Sequence, residues 1–139
     1  MKKGIVLNSE IVSVMARLGH GDSLCIADSG LPVPEGRKRI DIALRSGMPG
    51  FADTLRTVLE ELCVERVLLA EEIRTNNPDQ YQAIEKIFEE YRTKNGQKVP
   101  VDFTPQTDFK KATASCAAII RTGECSPYSN IILYSGVIF

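Results

Sequence analysis

The feature that most constrains the fold of this 139-residue chain is a series of short, mostly apolar runs separated by helical patterns. Each run has the length of a buried strand, and the segments between most of them place apolar residues three or four positions apart, as a helix with one buried face requires. Strands that alternate with helices in this way form a largely parallel sheet with helices on both faces. We therefore expect a single three-layer α/β/α domain over residues 1–139. The predicted strands are 23–27, 66–70, 99–103, 116–120 and 131–134, with a partly alternating strand over 39–44.

Helix boundary signals support this order of elements. Asn77 followed by Pro78 is typical of a helix N-terminus, and Gly96 is typical of the position that follows a helix. Thr104 followed by Pro105 begins a shorter helix in the same manner. Together with the apolar spacing, these signals predict helices over 8–18, 51–63 and 78–95 and a short helix after Pro105.

Composition excludes several classes of function. The formal net charge is −1 and the pI is near 5.9, so we expect no surface for nucleic acid. No apolar run approaches the roughly 20 residues that a membrane-spanning helix needs. The apolar stretch after Lys3 ends at Asn8, which is too early for an export signal. We therefore expect a protein that binds neither nucleic acid nor membrane.

The cysteines indicate the redox environment. No two of them have CxxC spacing, and the chain holds only one histidine, so we expect no metal site. Two of them fall in apolar runs, where a free thiol behaves as a small hydrophobic side chain. We expect four reduced thiols in a cytoplasmic protein, namely Cys25, Cys63, Cys116 and Cys125.

The only histidine, His20, lies between two glycines where the first helical pattern ends and the first strand begins. Imidazole gives or takes a proton near neutral pH, and glycine neighbours leave space for a ligand beside the ring. Asp28 follows the first strand, at a position where ligands bind in α/β sheets. We interpret His20 as a general acid and Asp28 as a ligand-binding carboxylate. The alternative for His20 is a loop histidine without a functional role, and the alternative for Asp28 is an aspartate that only forms a turn before a glycine.

A polar loop that ends at Asn130 precedes the last strand. Asn130 can donate and accept hydrogen bonds, and Tyr128 offers an apolar face with a hydroxyl. The chain has no GxxxxGK[ST] loop, no GxGxxG after its first strand and no GxSxG elbow, so nucleotide-dependent and acyl-transfer chemistry are not indicated. We expect His20, Asp28, the segment 104–110 and this loop to form one site that moves protons on a hydroxylated molecule without a cofactor.

Several separate motifs carry a resemblance from the first residue to the last. They are Met1-Lys2-Lys3-Gly4, Leu7-Asn8-Ser9, Leu18-Gly19-His20 with Asp22, Ala27-Asp28-Ser29-Gly30-Leu31-Pro32-Val33-Pro34, Ile40-Asp41, Ala70-Glu71-Glu72-Ile73, Ile119-Ile120-Arg121-Thr122-Gly123-Glu124, and Ser126-Pro127-Tyr128-Ser129-Asn130-Ile131-Ile132-Leu133 through Gly136-Val137 to Phe139. In these motifs the chain resembles the D-ribose pyranase family. The resemblance implies interconversion of the β-pyranose and β-furanose ring forms of D-ribose, and of its anomers, which supplies the furanose that a ribose kinase uses.

The resemblance also implies roles for individual residues. His20 matches the proton donor of the family. The substrate-binding positions implied in the same way are Asp28, Gln106, Lys110, Tyr128, Ser129 and Asn130. Gln106 stands where many members of the family have a second histidine at the site. Because glutamine forms hydrogen bonds but does not titrate near neutrality, we interpret it as a sugar-binding residue and not as a proton carrier. The alternative is an exposed residue at the start of a helix.

The resemblance further implies a ring-shaped homodecamer of two stacked pentamers, with sites at the subunit interfaces. The apolar end of the chain, residues 137–139, is also easier to explain if it is buried between subunits. Two other functions stay open from the residues alone. One is a non-catalytic sugar-binding or transport-associated module with the same pocket, and the other is a mutarotase that prefers fucose.

Overall fold

A computed structural model describes residues 1–139. Helices and strands alternate along most of the chain, and the only irregular helix is a 3₁₀ turn at Thr113–Ser115. The helices are α1 (Ser9–Met15), α2 (Phe51–Leu59), α3 (Ile73–Asn76), α4 (Pro78–Asn95) and α5 (Gln106–Ala112). The strands are β1 (Ser23–Ala27), β2 (Lys38–Asp41), β3 (Val64–Ala70), β4 (Val101–Thr104), β5 (Ala118–Arg121) and β6 (Ile131–Ser135).

All six predicted strands and all four predicted helices are present, with shifted ends. The first helix ends at Met15, because the backbone N–H of Arg17 donates to the carbonyl of Val14, which tightens the chain into a turn. The second ends at Leu59 for the same kind of reason. The single turn α3 was not predicted, since four residues are too few to show a period.

The strands form one sheet in the order β2-β5-β1-β6-β3-β4. Three of the five neighbouring pairs are parallel, which confirms the largely parallel sheet. Strand β6 is the exception, since it runs antiparallel to both β1 and β3. Its first residue, Ile131, therefore lies beside Ile26 and Leu69, near the ends of those strands. This direction places the loop before β6 next to Asp28.

Both faces of the sheet are covered, so the three-layer prediction is confirmed. Side chains alternate along β1, so that Leu24 and Ile26 enter one hydrophobic cluster and Cys25 and Ala27 enter another. The larger cluster lies under α1, α2 and α4, and the smaller one lies under α5, which contributes the fully buried Phe109.

Two further features bear on function. None of the helices is both long and apolar enough to cross a bilayer. After β6 the chain ends in an apolar tail, residues 137–139, in which Ile138 and Phe139 are 93% and 100% exposed. The tail begins beside Cys63, whose carbonyl accepts a hydrogen bond from the backbone N–H of Gly136 (2.9 Å).

Candidate functional site

Asp28 and Asn130 form a reciprocal pair where β1 ends and β6 begins. The backbone N–H of Asp28 donates to Oδ1 of Asn130 (2.9 Å), and Nδ2 of Asn130 donates to Oδ2 of Asp28 (2.8 Å). The backbone N–H of Gly30 donates to the other carboxylate oxygen, Oδ1 (3.0 Å). Both groups of the Asn130 side chain are therefore used, and the Asp28 carboxylate is held in one orientation.

The carboxyl of Asp28 is half-buried. Burial raises its pKa above the ordinary value of an aspartate, and the nearby carboxylate of Glu124 acts in the same direction. Hydrogen bonds from Asn130 and from the backbone N–H groups of Gly30 and Leu31 oppose this rise. The result is a fixed and poorly hydrated acceptor, which suits hydrogen bonding to the hydroxyl groups of a ligand.

Ser129 anchors the loop before β6 to the start of α4. Its fully buried Oγ accepts hydrogen bonds from Nε2 of Gln80 (3.1 Å) and from Nδ2 of Asn77 (3.3 Å), and it lies 2.8 Å from Oγ of Ser126. The hydroxyl of Ser129 is thus engaged inside the protein, and the fully buried residue holds the loop in place.

Glu124 organises the same loop. Its Oε1 accepts from the backbone N–H groups of Cys125 and Ser126 (both 3.0 Å), and its Oε2 accepts from the backbone N–H of Phe51 (3.3 Å). Burial opposes ionisation of Glu124, but these hydrogen bonds outweigh it and lower the pKa of the carboxyl. Glu124 therefore stays ionised and holds the loop shape.

Tyr128 is the only residue other than glycine with a positive φ (58°). This left-handed conformation costs on the order of 1–3 kcal/mol for a bulky residue and persists only where its surroundings enforce it. Here the Tyr128 carbonyl accepts from the backbone N–H of Asn130 (2.8 Å), and the half-buried ring packs against both hydrophobic clusters. The strained backbone thus fixes the ring beside the Asp28–Asn130 pair.

Gln106 and Lys110 lie on α5, which covers the same sheet face as Ala27 and Tyr128. The predicted cap at Thr104 is wrong. Instead, the backbone N–H of Gln106 donates to both carboxylate oxygens of Glu72, each at 3.0 Å. Glu72, which lies just beyond β3, therefore supplies the acceptor for the first backbone N–H of α5. The side-chain Oε1 of Gln106 is buried without a hydrogen-bond partner, whereas Lys110 is exposed and forms no ion pair.

His20 lies at the other end of β1. Its Nε2 is 2.7 Å from Oε2 of Glu65, and its side chain is 63% exposed. The five residues of β1 alone span roughly 15 Å between the His20 turn and Asp28. A single chain therefore does not bring His20 to the other predicted site residues. The end of the sheet with Asp28 carries the Asp28–Asn130 pair and the loop before β6, and the opposite end carries His20.

A family model described as the RbsD / FucU transport protein family matches residues 1–138. The chain belongs to this family. A curated D-ribose pyranase from Escherichia coli O1:K1 / APEC is 47% identical over 139 residues, which is 100% of both chains. The solved structure of Bacillus subtilis RbsD complexed with D-ribose is 41% identical, with a TM-score of 0.91 and 100% of both chains covered.

The fold is also found in a solved structure of lower sequence identity. The crystal structure of a fucose mutarotase from Streptococcus pneumoniae in complex with L-fucose covers 100% of both chains with a TM-score of 0.81, at 20% identity. At that identity the likeness concerns the fold.

The sequence patterns did not identify three carboxylates that hold candidate site residues or their loops in place: Glu65, Glu72 and Glu124. Glu72 belongs to an acidic pair directly after a strand, which is a local signal for a group at the sheet end. Glu65 and Arg66 are consecutive charged residues within an apolar run, which indicates an irregular strand. Glu124 carries no local signal, because its partners on α2 and in its own loop are set by the tertiary fold.

Proposed function

We propose that this chain is a D-ribose pyranase, an intramolecular isomerase that interconverts the β-pyranose and β-furanose forms of ribose. The observation that carries the proposal is the 47% identity to a D-ribose pyranase over the full length of both chains. The 41% identity to an RbsD that was solved with D-ribose supports ribose as the ligand.

The reaction needs proton transfer and no redox step. In opening the pyranose, the bond between C1 and the ring oxygen breaks, the ring oxygen gains a proton, and the anomeric hydroxyl gives its proton to water, which leaves the aldehyde. The C4 hydroxyl then adds to C1 and gives its proton to the neutral His20 ring, which restores the acid, while the carbonyl oxygen regains a proton from water. A positioned acid or base contributes typically ~10²–10⁴ in rate. In this proposal His20 is the acid that protonates the ring oxygen.

The opposite end of the sheet supplies the sugar-binding groups. Asp28 accepts hydrogen bonds from sugar hydroxyls, Tyr128 lends an apolar face, and the fully buried Ser129 supports the binding loop through its internal hydrogen bonds. Asn130 acts mainly by holding Asp28. From α5, Gln106 and Lys110 complete the proposed binding set.

We further propose that two copies complete each site. The His20 end of one copy meets the Asp28 end of the next, since a single chain keeps these ends about one strand length apart. Such a head-to-tail contact generates a ring when its rotation closes, which agrees with a homodecamer of two pentamers. The exposed apolar tail, residues 137–139, starts near the His20 end and is available to this contact.

The remaining parts of the proposal concern the whole chain. Residues 1–139 act as one pyranase-like domain, with no nucleic-acid or membrane partner, in the cytoplasm. The four cysteines are free, and burial raises the pKa of Cys25 and Cys116, which makes those two thiols unreactive. This supports a reducing compartment.

Saturation-transfer NMR on D-ribose tests the proposal. We expect the protein to transfer magnetisation between pyranose and furanose signals at substoichiometric concentration. A non-catalytic sugar-binding or transport-associated module would broaden the sugar signals without transfer, and that outcome would refute the proposal. The same measurement on L-fucose reports whether the chain is instead a mutarotase that prefers fucose.

A further inference from the structure

The strand β3 has an irregularity at Glu65. Val64 lies opposite Ser135 and Arg66 lies opposite Tyr134, so Glu65 is an extra residue between two consecutive positions of β6. This is a β-bulge, which commonly redirects a side chain next to a functional site. In agreement, Val64 and Val67 both enter the larger hydrophobic cluster. They are three positions apart, and in a regular strand residues at that spacing would point to opposite faces of the sheet.

The bulge directs the Glu65 carboxylate to His20. Oε2 of Glu65 is 2.7 Å from Nε2 of His20, which is the length of a charge-assisted hydrogen bond. The other nearby carboxylate is used elsewhere, because Oδ2 of Asp22 accepts from the backbone N–H of Gly19 (2.7 Å).

Both partners of this contact stand on fixed backbone. The His20 turn is tied to β6 by the hydrogen bond from the N–H of Gly21 to the carbonyl of Ser135 (2.8 Å), and Gly21 adopts a φ of 82° that favours glycine. Gly136 allows close packing beside the bulge, because a Cβ there would lie 3.2 Å from Cβ of Glu65.

The contact contributes little to stability. Exposed ion pairs contribute about 0–1 kcal/mol, and the side chains of His20 and Glu65 are 63% and 32% exposed. What a 2.7 Å contact does achieve is to fix the rotation of the ring and to engage one of its two nitrogens.

We infer that Glu65 is a positioning residue for His20. Its carboxylate accepts the proton of Nε2, so that Nδ1 is the nitrogen that exchanges a proton with the sugar. In the forward step Nδ1–H of the imidazolium protonates the ring oxygen, and the neutral ring keeps its Nε2 proton in the hydrogen bond to Glu65. The inference rests on the proposed function, which identifies the sugar ring oxygen as the group that His20 protonates.

The test combines ring exchange with NMR of the single histidine. Glu65→Ala should lower the ribose exchange rate about tenfold or more while leaving ribose affinity within about twofold, because Glu65 is placed on the acid and not on the sugar. Glu65→Gln retains an acceptor oxygen and should recover part of the rate. In ¹H–¹⁵N spectra of the wild type, the neutral ring should carry its proton on Nε2, and Glu65→Ala should shift the ring towards a mixture of tautomers. Glu89→Gln, which removes an exposed carboxylate paired with Arg92, is the matched control and should change neither readout.

The possible failures are distinguishable. An unchanged exchange rate in Glu65→Ala, or a wild-type ring protonated on Nδ1, would overturn the inference. A loss of rate accompanied by dissociation in light scattering would also overturn it, since Glu65 would then serve assembly. A wild-type protein that does not exchange ribose would refute the proposed function, and the tautomer measurement would still decide whether Glu65 holds the ring.

Discussion

At the carboxyl end of β1 the polar groups are buried and hydrogen-bonded to one another, whereas at its amino end the single histidine is exposed and held by one carboxylate. Ser129 and Asn130 are 0% and 1% exposed, and the side chain of His20 is 63% exposed. One chain therefore holds the polar groups at the Asp28 end together by its own hydrogen bonds. In the proposed function, the proton donor His20 lies outside that set and reaches a sugar only when another copy brings the two ends together.

Substitutions at the two ends of β1 should also differ in their effect on the stability of the fold. Breaking a buried hydrogen-bonded pair leaves polar groups unsatisfied, which costs about 1–3 kcal/mol for each group, whereas an exposed side chain can be removed at little cost. Substitutions at the His20 end should thus affect activity alone, and substitutions at the Asp28 end should affect both activity and folding.

The largest effect is expected for His20→Ala. The exchange rate of ribose should fall by about 10²–10⁴, since the general acid is lost, and the melting temperature should stay within error of the wild type. Saturation-transfer NMR and thermal unfolding measure the two quantities. A variant that exchanges ribose at the wild-type rate would show that another group supplies the proton.

A second, mixed effect is expected for Asn130→Ala. It removes both hydrogen bonds to Asp28 and should lower the free energy of unfolding by about 1–3 kcal/mol, together with ribose affinity. Denaturant unfolding and ribose titration report on the two losses. His20→Ala is the natural control, because it should leave both quantities unchanged. If Asn130→Ala folded as stably as the wild type, the reciprocal pair would not be a structural element of the site.

A smaller effect concerns pH. Because burial raises the folded pKa of Asp28 above its unfolded value of about 3.9, the ionised carboxylate opposes folding. The stability that the protonated carboxyl of Asp28 contributes is fully present below the unfolded pKa and is lost as the pH rises through the folded pKa. The free energy of unfolding of the wild type relative to Asp28→Asn should therefore fall as the pH rises from about 4, and parallel curves for the two proteins would contradict this.

Ribose affinity should follow the opposite course. Asp28 accepts hydrogen bonds best when ionised, so affinity should decline as the pH falls through its folded pKa, which burial raises from the ordinary value of an aspartate. Titrations between about pH 4 and pH 7 check this.

The smallest effect is expected for Gln106→His. Since His20 already serves as the acid in the proposal, a second imidazole should change the exchange rate by less than about tenfold, or ~1.4 kcal/mol in the barrier. Gln106→Ala should weaken ribose affinity more than it slows turnover. An increase of several hundredfold in Gln106→His would reveal a missing proton carrier on α5.

Sequence patterns predicted the parts of this architecture that are set locally. The apolar runs located β1, β3 and β6, and Asn77-Pro78 located the start of α4, where Asn77 does cap the helix. Periodicity carries no information about strand direction, so the antiparallel course of β6 could not be derived. That direction is what sets Asn130 against Asp28.

The site depends on contacts that no local pattern contains. Asp28 and Asn130 are 102 positions apart in the chain, and His20 and Glu65 are 45 positions apart. The residue types of His20 and Asp28 indicated proton transfer and ligand binding. Their placement at opposite ends of one strand emerged only from the fold, and it is the reason that a second copy enters the proposal.

Subunit complementation tests this central claim most directly. His20→Ala and Asp28→Asn are co-expressed with different affinity tags, and assemblies that carry both tags are isolated and assayed at a ribose concentration well below saturation. Random mixing leaves about one quarter of the contacts with an intact His20 end facing an intact Asp28 end. We predict exchange at about a quarter of the wild-type rate per site, while each variant alone is nearly inactive. Doubly tagged assemblies no faster than the separate variants would contradict a site shared between two copies.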